Sequence, residues 1–153
     1  MTTFIVLGAL VLIGPQAAAT VIRTVHGTVS TVNAVHQLDT SYTTLSNSLG
    51  AWEQATTDCD KQLACVTRQD GTAAGAFDTF SAQLAGVSVP SGAAAGKARL
   101  SADAALAARD FTQLSKTTTD SQYQATVSST GLQQTLDRFD QDFNALGTAL
   151  DNS

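Results

Sequence analysis

A chain of 153 residues is a normal size for one domain and buries about 70% of the surface its unfolded form would expose, so a single core is expected. It is 43% hydrophobic but only 6% aromatic, and the abundance of alanine leans toward closely packed helices. The formal charge is −5, with basic residues spread singly from Arg23 to Arg138; lacking a patch to neutralise phosphates, the chain is not expected to bind nucleic acid or to adhere to an anionic membrane through a polybasic segment.

Residues Phe4 to Ile13 form an apolar run, followed by Gly14-Pro15-Gln16 and Ala17-Ala18-Ala19. Three readings fit. A secretory signal over 1–19 has its small-residue cleavage site before Thr20, although Met1-Thr2-Thr3 supplies no leading positive charge. A membrane anchor over residues 3–22 has the roughly 20 residues needed to span, weakened by Gln16 and Thr20. An apolar core helix is the third.

Val21, Val25, Val29, Val32 and Val35 recur at steps of four and three, which places them on one helical face and rejects strand alternation. Leu38, Tyr42, Leu45, Leu49, Trp52 and Thr56 continue as a sharper seam. Together they predict a long first helix over about 18–57, ~60 Å at 1.5 Å per residue against ~40 Å for its partner, so its N-terminal part is expected to project. Thr57 to Asp60 favour a turn and helix N-caps, and a second helix is expected over 61–87. Its seam is Leu63, Val66, Ala73, Phe77, Phe80, Leu84 and Val87, with Asp70 in the one polar slot.

Pro90 breaks the pattern and Ser91 is placed to cap a third helix over 92–116, with Leu100, Ala104, Ala107, Phe111 and Leu114 on its seam. A fourth is expected over 120–151, through Tyr123, Val127, Leu132, Leu136, Phe139, Phe143, Leu146 and Leu150. Thr130 and Gln133 match a capping box beside Gly131, which predicts a kink or short break there. The expected fold is an all-α, antiparallel up-down-up-down four-helix bundle with a long first helix.

Cys59 and Cys65 lie astride the first turn, close enough for a disulfide that would contribute about 2 kcal/mol and pin the two helices. Buried free thiols, a redox pair and a metal site are the rivals; redox pairs favour a two-residue spacing and a metal needs more ligands. Disulfides persist in oxidising compartments, so the pair and the apolar N-terminus jointly point outside the cytoplasm.

Other constellations fall short of chemistry. Gly92 to Lys97 imitates a phosphate-binding loop, but one residue too few separates the glycines and Ala98 stands where a hydroxyl belongs. Asp140, Asp142, Asn144 and Asp151 have a faint calcium-loop spacing, yet Ala145 replaces the turn glycine and the stretch carries seam residues. His26 and His36, ten helical residues apart, do not share a face. Tyr42, Trp52 and Tyr123 fit either the core or the lining of a ligand pocket. No catalytic, cofactor or metal site is expected, and the chain reads as not an enzyme.

With the apolar leader, Trp52, the Cys59 and Cys65 pair, the Ala-Ala-Arg-Asp-Phe run at 107–111 and Tyr123, the chain resembles small exported or membrane-anchored helical proteins of actinobacteria for which no activity is known. The resemblance implies an envelope or extracellular location and no site residues. The expected function is a non-catalytic extracytoplasmic bundle, secreted or anchored to the outer face of the cytoplasmic membrane, acting on a protein or cell-envelope partner. The alternative is a module that binds a small apolar ligand between the first and last helices, or a sensor-like module.

Overall fold

The computed structural model describes residues 29–153, and within them the chain is helical with no strand. Five helices follow in order: α1 (Val29–Asp58), α2 (Leu63–Gly86), α3 (Ala94–Ser115), α4 (Asp120–Thr130) and α5 (Leu132–Asp151), with a 3-10 turn at Ser91–Ala93 leading into α3. The signal or anchor readings over 1–19 and 3–22, the start of the first helix over 18–28, and His26 lie outside the described residues. No described helix is long and apolar enough to cross a membrane.

In α1 the expected seam is the buried face: Leu38, Tyr42, Leu45, Leu49, Trp52 and Thr56 are all covered. Val32 departs from expectation, standing 42% exposed. Val35 is buried as expected, and counting back from Leu38 by four and then three residues meets Ala34 and Thr31, which are buried too. The many hydroxyls of α1 do not unwind it, because Thr40, Ser41, Thr44, Ser48, Thr56 and Thr57 each donate to the carbonyl four residues back.

The first corner is one residue longer than expected. Asp60 and Lys61 adopt left-handed backbone, φ 46° and 64°, so α2 starts at Leu63 instead of Lys61, and its N-cap Gln62 makes no side-chain cap bond. Left-handed backbone costs a residue with a Cβ about 1–2 kcal/mol, less for Asp than for Lys. Cys59 and Cys65 close the corner, sulfurs 2.02 Å and Cα atoms 5.5 Å apart. Reduction is expected to lower stability by about 2 kcal/mol, read as a fall in the urea midpoint on adding a thiol reductant.

α2 and α3 form the most extensive helix pair. Both helices bury alanines, Ala73 and Ala74 of α2 and Ala104, Ala107 and Ala108 of α3, small side chains that suit close packing. Ser91 does not cap with its side chain as expected. Lys97 closes this corner instead, its ammonium donating to the carbonyls of Ala85 and Val87 at 3.1 and 2.6 Å, where the C-terminal end of α2 needs donors. Farther along, α3 packs against α5 at Gly96, where even an added Cβ would meet Leu146 in ordinary van der Waals contact at 3.5 Å.

The last expected helix is interrupted, as the sequence suggests, but by a different device. Thr130 donates to Val127 O and Gln133 to Asp137, so that capping box does not form. Gly131 instead takes left-handed backbone, φ 65°, ending α4 and starting α5. The reciprocal cap lies at the other end of α4: Thr119 Oγ1 accepts from the Gln122 N–H, and Gln122 Oε1 accepts from the Thr118 N–H. Gly131→Ala forces a Cβ into the left-handed region and is expected to cost about 1 kcal/mol, a fall of about 3 °C in Tm by calorimetry.

One connected run of rings holds the core together. It passes from Trp52 of α1 to Phe111 of α3, Phe77 of α2 and Phe139 of α5, and returns through Tyr42 of α1 to Phe143, with Phe80 also against Phe139.

Candidate functional site

The polar slot in the α2 seam holds a carboxyl inside the core. Asp70 is fully buried, and its Oδ1 accepts a 3.2 Å hydrogen bond from the indole N–H of Trp52. The Tyr123 hydroxyl lies beside the same carboxyl group, yet Oδ2 has no partner in direct hydrogen-bonding geometry. Burial pushes the Asp70 carboxyl up to about 6, against the opposing pull of Tyr123 and then Trp52, which favour its charge. Burial first, and then the charge of Asp70, holds the Tyr123 phenol protonated well above its ordinary range. Three helices thus converge on one carboxyl, with Phe111 meeting the Trp52 ring edge-on at 5.3 Å.

Of the three aromatics picked out in sequence, Trp52 and Tyr123 are brought together and Tyr42 is not. Tyr42 donates to Asp140 Oδ1 at 3.1 Å and stacks on Phe143 at 3.9 Å, so it packs between α1 and α5. Burial, followed by the neighbouring Asp140, raises its pKa as well. The faint calcium spacing dissolves into α5: Asp140 serves Tyr42, and Asp142 pairs with Arg99 at 3.3 Å. Among the described residues no group of three or more His, Cys, Asp or Glu is placed to hold a metal, and His36 is exposed.

Sequence reading missed two further carboxylates. Asp103 pairs with Arg138 at 3.4 Å; its pKa is raised by burial and by a hydrogen bond shared with Asp142, with Arg138 opposing. Asp110 has no exposed side-chain surface, and it forms a salt bridge with the adjacent, largely exposed Arg109. Their signal was available: Asp103 follows Leu100 by three, and Asp110 follows Ala107 by three, so both border the α3 seam.

A groove of about 240 Å3 runs between α1 and α2, with Leu45 and Phe80 at its base. Ser41, Thr44, Ser48, Thr72 and Thr79 line it, and each spends its hydroxyl proton on a carbonyl four residues back. Those hydroxyls can only accept from a visitor; Gln83 is the one lining side chain with N–H groups to give.

No known protein family, curated protein or solved structure matches the chain. Any functional reading therefore rests on these geometries. A buried carboxyl held by the Trp52 N–H, with the Tyr123 hydroxyl alongside, can gain or lose a proton near pH 6, while the groove offers neutral, acceptor-rich contact.

Proposed function

We propose that the chain is a non-catalytic extracytoplasmic module that works through its surface, contacting a protein or cell-envelope material. Its architecture in this reading is an antiparallel, up-down-up-down four-helix bundle in which α4 and α5 together form the last arm. The neighbour relations of α1 with α2, α2 with α3, α3 with α5 and α5 with α1 support that arrangement. The observation that carries the location is the Cys59–Cys65 pair at bonding distance, a bond that persists where the surroundings are oxidising. The core, filled by its ring contacts, supports action at the surface.

Intact-mass measurement of the chain produced with its own N-terminus in an exporting bacterial host tests the proposal. Recovery outside the cytoplasm, with both sulfurs protected from alkylation until reduction, is expected. Accumulation inside the cell with two free thiols would reject it, and so would substrate turnover by the purified chain that is lost on substituting one residue.

The groove between α1 and α2 favours a second reading, a ligand-binding module. Its walls suit a neutral ligand bearing hydrogen-bond donors, whereas the alternative reading of the sequence names an apolar ligand between the first and last helices. A thermal-shift screen of polyols, sugars and apolar metabolites separates these; binding raises Tm, and a flat response across the panel removes this reading.

A further inference from the structure

Of the five helices, α4 is the least embedded. Tyr123 is its only buried residue, Val127 is partly buried against the core, and the remaining side chains are exposed or partly so. A helix of 11 residues is marginal on its own, so the seating of α4 depends on that tyrosine. Thr119 and Gln122 cap one end and the left-handed Gly131 closes the other, and neither device uses a side chain of another helix.

Tyr123 is seated against a carboxyl that has no exposed surface. Asp70 is 0% exposed, accepts the Trp52 N–H on Oδ1 and has the Tyr123 hydroxyl alongside. Taking a carboxylate out of water disfavours its charged form, and this burial outweighs the pull of Tyr123 and then Trp52, which favour the charge. Lifting Tyr123 away opens that side of the carboxyl to water. The released position of α4 therefore relieves an ionised Asp70 and offers little to a protonated one.

We propose that α4 is a strap fastened by a proton: it stays seated while Asp70 is protonated and works loose when Asp70 ionises beneath Tyr123. The sign follows from which position binds the proton more tightly. Under the seated strap the carboxyl titrates at about 6, and in water it returns toward 3.8, so seating weakens as pH rises between these values and is weakest above 6. Elements with few buried apolar contacts open before the whole chain does, which makes α4 the part that responds first. The inference goes beyond the surface role proposed above and does not depend on it.

Other charged groups stand near this corner. Glu53 follows Trp52 on α1, Arg68 is exposed on α2, and Asp120 is in the first turn of α4. From α3, Phe111 meets Trp52 edge-on, and the Asp110 and Arg109 pair precedes it. Substituting Asp70 separates its effect from theirs.

Hydrogen exchange of the full chain, followed by mass spectrometry at pH 5.0 and 7.5 and corrected for the intrinsic pH dependence of amide exchange, tests the strap. Amides of residues 120–130 are expected to exchange faster than those of residues 100–114 at both pH values, and to open about 10-fold more often at pH 7.5 than at 5.0. In Asp70→Asn this difference between the two pH values is expected to vanish. Equal protection of the two segments means that α4 opens only with the whole chain and overturns the proposal. A pH-independent α4 in the parent overturns it too, as does a pH dependence that survives in Asp70→Asn. Should Asp70→Asn fail to fold, Tyr123→Phe removes the donor that favours the charge. Its α4 amides are expected to exchange faster than the parent's at pH 7.5 and much as the parent's at pH 5.0; equal acceleration at both marks Tyr123 as packing alone and counts against the proposal.

Discussion

Acidification from pH 7.5 to 4.5 is expected to strengthen the fold. Asp70 titrates near 6 in the folded chain, against an ordinary value of 3.8. Between those values the folded state holds more protons than the unfolded state, so the free energy of unfolding falls as pH rises through this window. The gap of roughly two pH units corresponds to about 3 kcal/mol, fully present below pH 3.8 and lost above 6. Asp103 is shifted in the same direction and adds to the slope. Urea midpoints at the two pH values measure the effect. Asp70→Asn keeps an acceptor for Trp52 and supplies a donor toward Tyr123, so it is expected to be the more stable chain at pH 7.5 and to have the flatter pH profile. If the variant keeps the slope of the parent, the assignment to Asp70 is wrong.

The largest loss is expected from Phe139→Ala. Phe139 is 1% exposed and touches three rings, Phe77 at 5.4 Å, Phe80 at 5.2 Å and Tyr42 at 6.4 Å between centroids. Truncating a buried Phe costs about 3–5 kcal/mol, which is much of the 5–15 kcal/mol that holds a typical domain folded. Loss of near-ultraviolet circular dichroism and of a cooperative urea transition would register it. Phe139→Leu refills part of the space and is expected to lose less. A Phe139→Ala chain that unfolds at the parent's midpoint would mean that the ring run contributes little.

The sequence was most readable where one physical signal ruled. The apolar steps from Leu38 to Thr56 and from Leu132 to Leu150 belong to helices with one covered face, and that face is the one found. The cysteine spacing read correctly because a short reversal between two helices leaves two thiols little room to be elsewhere. Where two signals competed, reading by pattern went astray. Val32 is more apolar than Thr31, yet Thr31 is the one covered, because the seam is set by its whole length and not by one side chain. Lys61 favours a helix, but reversing the chain at that corner required left-handed backbone there. Thr130 and Gln133 match a capping box in type and spacing, and Gly131 between them ended the helix first.

The candidate site was harder still. Asp70 was visible as a polar interruption of an apolar seam; that Trp52 and Tyr123 would meet it was not, since they lie 18 residues before and 53 after it on other helices. The burial of Asp103 and Asp110 depends on how α3 is rotated against its neighbours, which the heptad positions bracket without deciding.

The Lys97 clasp bears on how the chain reaches this state. By holding the carbonyl end of α2 from the first turns of α3, it makes the central hairpin a unit whose partners are near each other along the chain. Structure built from such local meetings forms quickly, because little chain must be searched before contacts repay the ordering. The central hairpin is expected to form early, and the corner closed by Cys59 and Cys65 is equally local along the chain.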